Sequence, residues 1–143
     1  MKDHTDVHVL IIEDDPILGD LVELIIKKSF TVHLAATGEQ ADAYLEAHDT
    51  PDIILIDIIL PDGNGFDILR KIRSHPTHQS ALCVMFTNLS QESDKKRAFE
   101  LGADEYFVKA DLDLDKLPDI LYQLLEQRRS GGVDRSPGAD APE

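Results

Sequence analysis

Apolar and polar positions follow two rhythms along the chain. Residues 6–12 (DVHVLII) alternate and then turn fully apolar, which predicts a strand buried along its second half. Residues 16–29 place Ile17, Leu18, Leu21, Leu24, Ile25 and Lys28 at helical spacing, with Asp15 as N-cap and Pro16 at the first helical position. The same reading predicts strands at 31–36, 51–57, 81–87 and 104–109 and helices at 38–49, 65–74 and 91–102. Ser90 is the expected cap of the 91–102 helix and Gly102 its stop. A last helix, 113–129, carries Leu114, Leu117, Leu121, Leu124 and Leu125 on one face and Pro118 in its first turn. Near-continuous apolar strands separated by helices predict an α/β fold, a doubly wound parallel sheet covered on both faces. From residue 130 the chain turns to Gly, Pro, Ser, Ala and acid, so a domain over 1–129 and a tail or linker over 130–143 are expected.

Composition narrows the class. The chain has 143 residues, of which 42% are hydrophobic, which suits one folded domain and excludes a disordered chain. Its single cysteine, Cys83, lies in an apolar run, which predicts a buried thiol and suits a reducing cytosol. Without a long apolar segment or signal peptide in view, the expected location is cytoplasmic, with no membrane contact. The formal net charge of −14 argues against direct binding of nucleic acid or an anionic membrane. His75 and His78 flank Pro76 in a loop and are expected in solvent. The run DLDLDK (111–116) fails as a calcium loop, because Lys116 stands where Gly is needed and Tyr122 where Glu is needed.

In open α/β sheets, sites form at the carboxyl ends of the strands. Glu13, Asp14 and Asp15 follow the first strand, Asp57 ends the third, Thr87 the fourth and Lys109 the fifth. Two carboxylates about 4 Å apart repel by roughly 4 kcal/mol at an effective dielectric near 20. A divalent cation removes that repulsion, hard oxygen ligands suit Mg²⁺, and Lys109 supplies a further positive charge. Each of these residues has a blander use alone, as a cap, a strand former or a surface charge. Their joint placement on one sheet edge favours a site.

The run PDIILIDIILPDGNGFDIL (51–69) carries Asp57, Leu60, Pro61 and Gly65. With VLIIEDDP, ATGEQADAYL, VMFT and AFELGADEYFVK in order around it, the chain resembles the response regulator receiver domains of bacterial two-component signalling over residues 6–129. The resemblance implies a flavodoxin-like sheet in the order 2-1-3-4-5. It implies that Asp57 accepts a phosphoryl group from the phosphohistidine of a sensor histidine kinase or histidine phosphotransfer protein. Mg²⁺ would be held by Asp14, Asp57 and the backbone carbonyl of Ile59, with Glu13 acting through a water. Lys109 would neutralise phosphoryl oxygens, Thr87 would hydrogen-bond one of them, and Tyr106 would change rotamer as Thr87 moves. Such a domain is not a conventional enzyme; it catalyses its own phosphotransfer and autodephosphorylation. A downstream protein would be met on the face of the fourth helix, fifth strand and fifth helix, near Lys95, Tyr106 and Asp119.

Two positions depart from the family's pattern. Ala110 follows Lys109 where relatives usually carry proline in a cis peptide, so a trans peptide and a differently shaped loop are expected. Asn88 follows Thr87 where a small residue is common, within expected reach of the phosphate. Two other classes compete with this reading. A haloacid dehalogenase-type phosphatase needs its nucleophile after the first strand and a second Asp two residues on, where this chain has Ile59. A degenerate receiver, acting only as an interaction module, is disfavoured by the intact set Asp14, Asp57, Thr87 and Lys109.

Overall fold

The computed structural model describes residues 4–130. Residues 131–143, most of the expected tail, lie outside the described residues. Strands β1 (His4–Ile12), β2 (Phe30–Ala35), β3 (Ile53–Ile56), β6 (Leu82–Thr87) and β7 (Glu105–Val108) form one parallel sheet in the order β2-β1-β3-β6-β7. That is the expected order once a short antiparallel pair, β4 (Ile59–Leu60) and β5 (Gly63–Asn64), is set aside. The helices are α1 (Pro16–Ile26), α2 (Gly38–Ala47), α3 (Gly65–Ser74), α4 (Glu92–Glu100) and α5 (Leu117–Arg129).

The apolar strands are buried on both faces, as their composition requires. Leu10, Ile12, Ile54, Ile56, Cys83 and Met85 point to the side covered by α2, α3 and α4. Val9, Ile11, Ile53, Leu55, Val84 and Phe86 point to the side covered by α1 and α5. Leu117, Leu121 and Leu125 form the buried stripe of α5, with Leu114 and Leu124 half-buried beside it.

Several expectations are corrected. Helix α1 stops at Ile26, leaving Lys28 outside it, because Ser29 N donates to Ile26 O and Ser29 O accepts from His4 N as the chain enters β2. Its buried face is Gly19, Val22 and Ile26, so the stripe of Ile17, Leu21 and Leu24 faces solvent. At Gly19 the helix backbone runs close to the sheet, and a Cβ there would be in ordinary contact with Leu34, 3.4 Å away. The N-cap of α4 is Gln91, not Ser90, and it makes no side-chain cap bond. Gly102 does end that helix, at φ +106, a left-handed conformation that favours glycine. Residues 113–116 are not part of α5. Two 3₁₀ turns, Lys109–Asp111 and Leu114–Lys116, precede it, and Pro118 stands in its first turn, where its missing N–H costs nothing. His78 is buried rather than solvated, with Nε2 2.9 Å from Leu45 O and Nδ1 2.6 Å from Thr50 Oγ1.

Gly65, at the start of α3, is required by close approach. A Cβ there would fall on the Asp57 carbonyl oxygen and within 2.9 Å of Ile58 Cα. Gly65→Ala is therefore expected to lower the unfolding free energy by about 1–3 kcal/mol in urea titrations. An unchanged midpoint would show that the turn after Asp57 shifts freely.

Candidate active site

The site is built where the ladders end. The last pairs of β1 are Ile12 with Ala35 and Ile12 with Ile56. Hydrogen bonding continues one residue further, with Glu13 N donating to Ala35 O at 2.9 Å and Asp57 N to Ile12 O at 3.1 Å. The backbones of Glu13 and Asp57 are thereby fixed side by side before their side chains make any contact.

Both carboxylates are buried, Glu13 at 2% and Asp57 at 5% exposure, while Asp14 is exposed. Oxygens of Glu13, Asp14 and Asp57 lie within 4.8 Å of one another. The Lys109 ammonium sits 2.8 Å from Asp57 Oδ2 and 2.6 Å from Glu13 Oε1. The first contact is a hydrogen bond; the second is a charge contact in which Oε1 receives no aligned hydrogen bond. The remaining oxygens take backbone donors, Asp15 N to Glu13 Oε2 at 3.1 Å and Ile59 N to Asp57 Oδ1 at 3.2 Å. Asp15 also caps α1, as expected, accepting from Ile17 N and Leu18 N.

Burial pushes the Glu13 carboxyl above its ordinary value, with the Asp57 charge adding to it, against the pull of Lys109 and the Asp15 N–H. Burial pulls Lys109 down, but the Asp57 hydrogen bond and the close contact with Glu13 outweigh that and hold it above its ordinary value. The lysine is thus firmly charged, and the cluster has three acids for one cation.

Thr87 is fully buried, and its Oγ1 accepts from Leu89 N at 3.4 Å. Tyr106 is buried as well, and its hydroxyl donates to Leu89 O at 2.7 Å. Burial, with the charges of Asp94 and Asp57, pushes that hydroxyl up to about 12, so it remains a donor. Leu89 therefore joins Thr87 to Tyr106 through its own backbone. The Ile59 side chain is exposed at the rim. Among the described residues all peptides, Lys109–Ala110 included, are trans. Asn88 does not point its carbonyl at the carboxylates: Oδ1 accepts from Ala110 N at 3.2 Å.

Three features escaped the sequence. The Leu89 link runs through backbone groups that any residue supplies. Asp62, in the turn after Asp57, accepts from Gly38 N at 2.8 Å and Glu39 N at 2.9 Å, and these N–H groups hold its carboxyl below the ordinary range. It ties the β4–β5 loop to the start of α2. The outward stripe of α1 is the third, because the helix has apolar residues on two faces and spacing alone does not choose between them.

The response regulator receiver domain family matches residues 9–122. The transcriptional regulatory protein CpxR of Klebsiella pneumoniae is 39% identical over 102 residues, 71% of this chain and 42% of that protein. The DNA-binding dual master transcriptional regulator RpaA of Synechocystis is 34% identical over 132 residues, 92% of this chain and 52% of that protein. The chain thus spans about half the length of these curated relatives. A CheY-like receiver domain protein of Methanospirillum hungatei has the same fold at a TM-score of 0.78, with 25% identity, over 88% of this chain and 98% of that one.

The raised Glu13 carboxyl has a measurable sign. The native state holds that proton more tightly than the unfolded chain, so its contribution to stability is fully present below 4.5 and is lost as pH rises through the raised value. Glu13→Gln removes the titration. In metal-free buffer, wild-type stability relative to Glu13→Gln is expected to fall across that window. A flat difference as pH rises above 4.5 would contradict the burial assigned to this acid.

Proposed function

The chain belongs to the response regulator receiver domain family, and from that premise we propose that Asp57 is its phosphoacceptor. The observation that carries this is the Asp57 carboxylate, buried at a strand end, with a charged lysine at 2.8 Å. A carboxylate oxygen attacks the phosphorus of a phosphohistidine, the P–N bond breaks with its electron pair to the imidazole, and that nitrogen takes a proton from water. Lys109 compensates the oxygens that arrive. Thr87 Oγ1 already accepts from Leu89 N, which leaves its proton to donate to a phosphoryl oxygen.

The donor set fits a hard divalent cation, being all carboxylate with neither thiol nor imidazole. Asp14, Asp57 and the Ile59 carbonyl would hold Mg²⁺ directly and Glu13 through a water; the ion would offset the negative charge gathered at the phosphorus.

Switching follows from the Leu89 link. A phosphoryl oxygen that accepts a hydrogen bond from Thr87 Oγ1 draws Thr87 toward the site, and Leu89 and the Tyr106 hydroxyl move with it. Tyr106 lies in β7, so the change reaches the face of α4, β7 and α5, where Lys95, Tyr106 and Asp119 meet a downstream protein. CpxR and RpaA are named as transcriptional and DNA-binding regulators at about twice this length. We assign no nucleic-acid contact to the acidic receiver itself, take residues 1–129 as the receiver and 130–143 as a tail or linker, and place the domain in the cytoplasm. No described helix is long and apolar enough to cross a membrane.

The phosphodonor protein docks on α1. This helix starts directly after Asp14 and Asp15 and turns Ile17 outward at 81% exposure, with Leu21 and Leu24 following on the same side. A protein that delivers a histidine to Asp57 must cover this rim.

Two measurements test these roles. Asp57→Asn should gain no phosphoryl group from a small phosphodonor by intact mass, and wild type should gain one only with Mg²⁺ present; uptake by the variant at the wild-type rate would sink the assignment. Leu21→Glu should slow transfer from a phosphorylated histidine kinase roughly tenfold or more, as loss of an interface anchor does, yet leave uptake from the small phosphodonor unchanged. Equal slowing with both donors would show damage to the site rather than lost docking.

A further inference from the structure

The ladder between β6 and β7 ends at the pair Thr87 with Val108. The functional side chains emerge at this point: Thr87 is the last residue of β6, and Lys109 follows the last residue of β7. No backbone rung joins the strands beyond it. One side-chain rung does. The Asn88 carboxamide oxygen reaches across and accepts from Ala110 N at 3.2 Å. Residue 88 is the neighbour of Thr87, and residue 110 the neighbour of Lys109. The bond spans the two loops that flank the Asp57 carboxylate.

We infer that Asn88 is a positioning residue that extends the β6–β7 ladder by one side-chain rung and so holds Lys109 over Asp57 and Glu13. The inference rests on the phosphoacceptor reading of Asp57. Its physical content is geometric. Lys109 opens a 3₁₀ turn, and the bond that closes it, Leu112 N to Lys109 O, is long at 3.4 Å. A turn closed by so long a bond leaves part of the direction of Lys109 to two further anchors. One anchor is the ion pair itself, which must reorganise when phosphoryl oxygens arrive. The other is the Asn88 bond, which does not involve the reacting groups. It keeps Ala110, and with it the Lys109 backbone, in register with Thr87 while the ammonium changes partners. The position demands an N–H at residue 110, which alanine has and proline lacks, and a carbonyl acceptor of asparagine's length at residue 88. The two departures noted in the sequence are therefore halves of one contact.

The test uses the full chain, Asn88→Ala to remove the acceptor, and Asn88→Asp to keep an acceptor of the same length. Two quantities are read: the initial rate of phosphoryl uptake from a small phosphodonor with Mg²⁺, and the Ala110 amide resonance in a ¹H–¹⁵N spectrum of the unphosphorylated protein. Asn88→Ala is expected to move the Ala110 amide proton upfield and to slow uptake roughly threefold to tenfold, the span that loss of one hydrogen bond allows. Asn88→Asp is expected to keep the Ala110 resonance downfield and to recover most of the rate. An unmoved Ala110 amide with wild-type uptake in Asn88→Ala would overturn the inference, and so would an Asn88→Asp variant that behaves like Asn88→Ala. If wild type itself takes up no phosphoryl group, the reading of Asp57 fails instead, while the Ala110 shift still reports whether the rung exists.

Discussion

One ammonium shared between two buried carboxylates is the contact on which the site depends. Burying a carboxylate at a strand end is costly unless a charge compensates it. Lys109 provides that charge from the far side of β6, since β6 lies between β3, which leads to Asp57, and β7, which leads to Lys109. The lysine therefore spans the end of β6, with its ammonium 5.7 Å from the Phe86 ring and Thr87 at the end of the same strand. A different strand order would separate the cation from its partners. The sheet topology and the charge balance thus specify one another.

The imbalance that remains is useful. Three acids face one lysine, so the cluster attracts a further cation, and a phosphoryl group adds charge that only a cation and new donors can offset. Thr87 ends β6, the strand next to β3, and its hydroxyl is coupled through Leu89 to the Tyr106 hydroxyl. A change of partner at Thr87 cannot leave Tyr106 untouched. That coupling joins the end of β6 to the Tyr106 hydroxyl of β7.

Much of this was legible in the sequence, and the reasons differ by element. The strands were legible because a parallel sheet buried on both faces needs unbroken apolar runs. Helix α3 was read with the bounds it has, Gly65–Ser74, because Gly65 and the stop before Pro76 frame a strongly amphipathic stretch. Glu13, Asp57, Thr87 and Lys109 were legible from topology alone, since each must emerge at the carboxyl edge. Which face of helix α1 is buried was not legible, because spacing cannot choose between two apolar faces; the sheet takes the one with Gly19, Val22 and Ile26. His78 was misread because nothing local announces that Leu45 O and Thr50 come to meet it from α2 and the loop that follows. The contacts of Asp62 and Asn88 were hidden for a related reason: their partners are backbone N–H groups 23, 24 and 22 residues away, which carry no side-chain signature.

The distribution of bonds around Asp57 also says where motion is cheapest. The strand ends are held by continuous ladders and by cores on both faces, so displacing them means breaking many contacts together. The loops are held by separate bonds, Asp62 to the start of α2, Ile59 N to Asp57, Leu89 to Thr87 and Tyr106, and Asn88 to Ala110. Each such bond contributes on the order of 1 kcal/mol. A phosphoryl group bringing several strong acceptors can exchange a few of these bonds without disturbing the sheet. The rigid frame keeps the reacting groups in place, and the loops, being held bond by bond, are the part of the structure that a single added charge can rearrange.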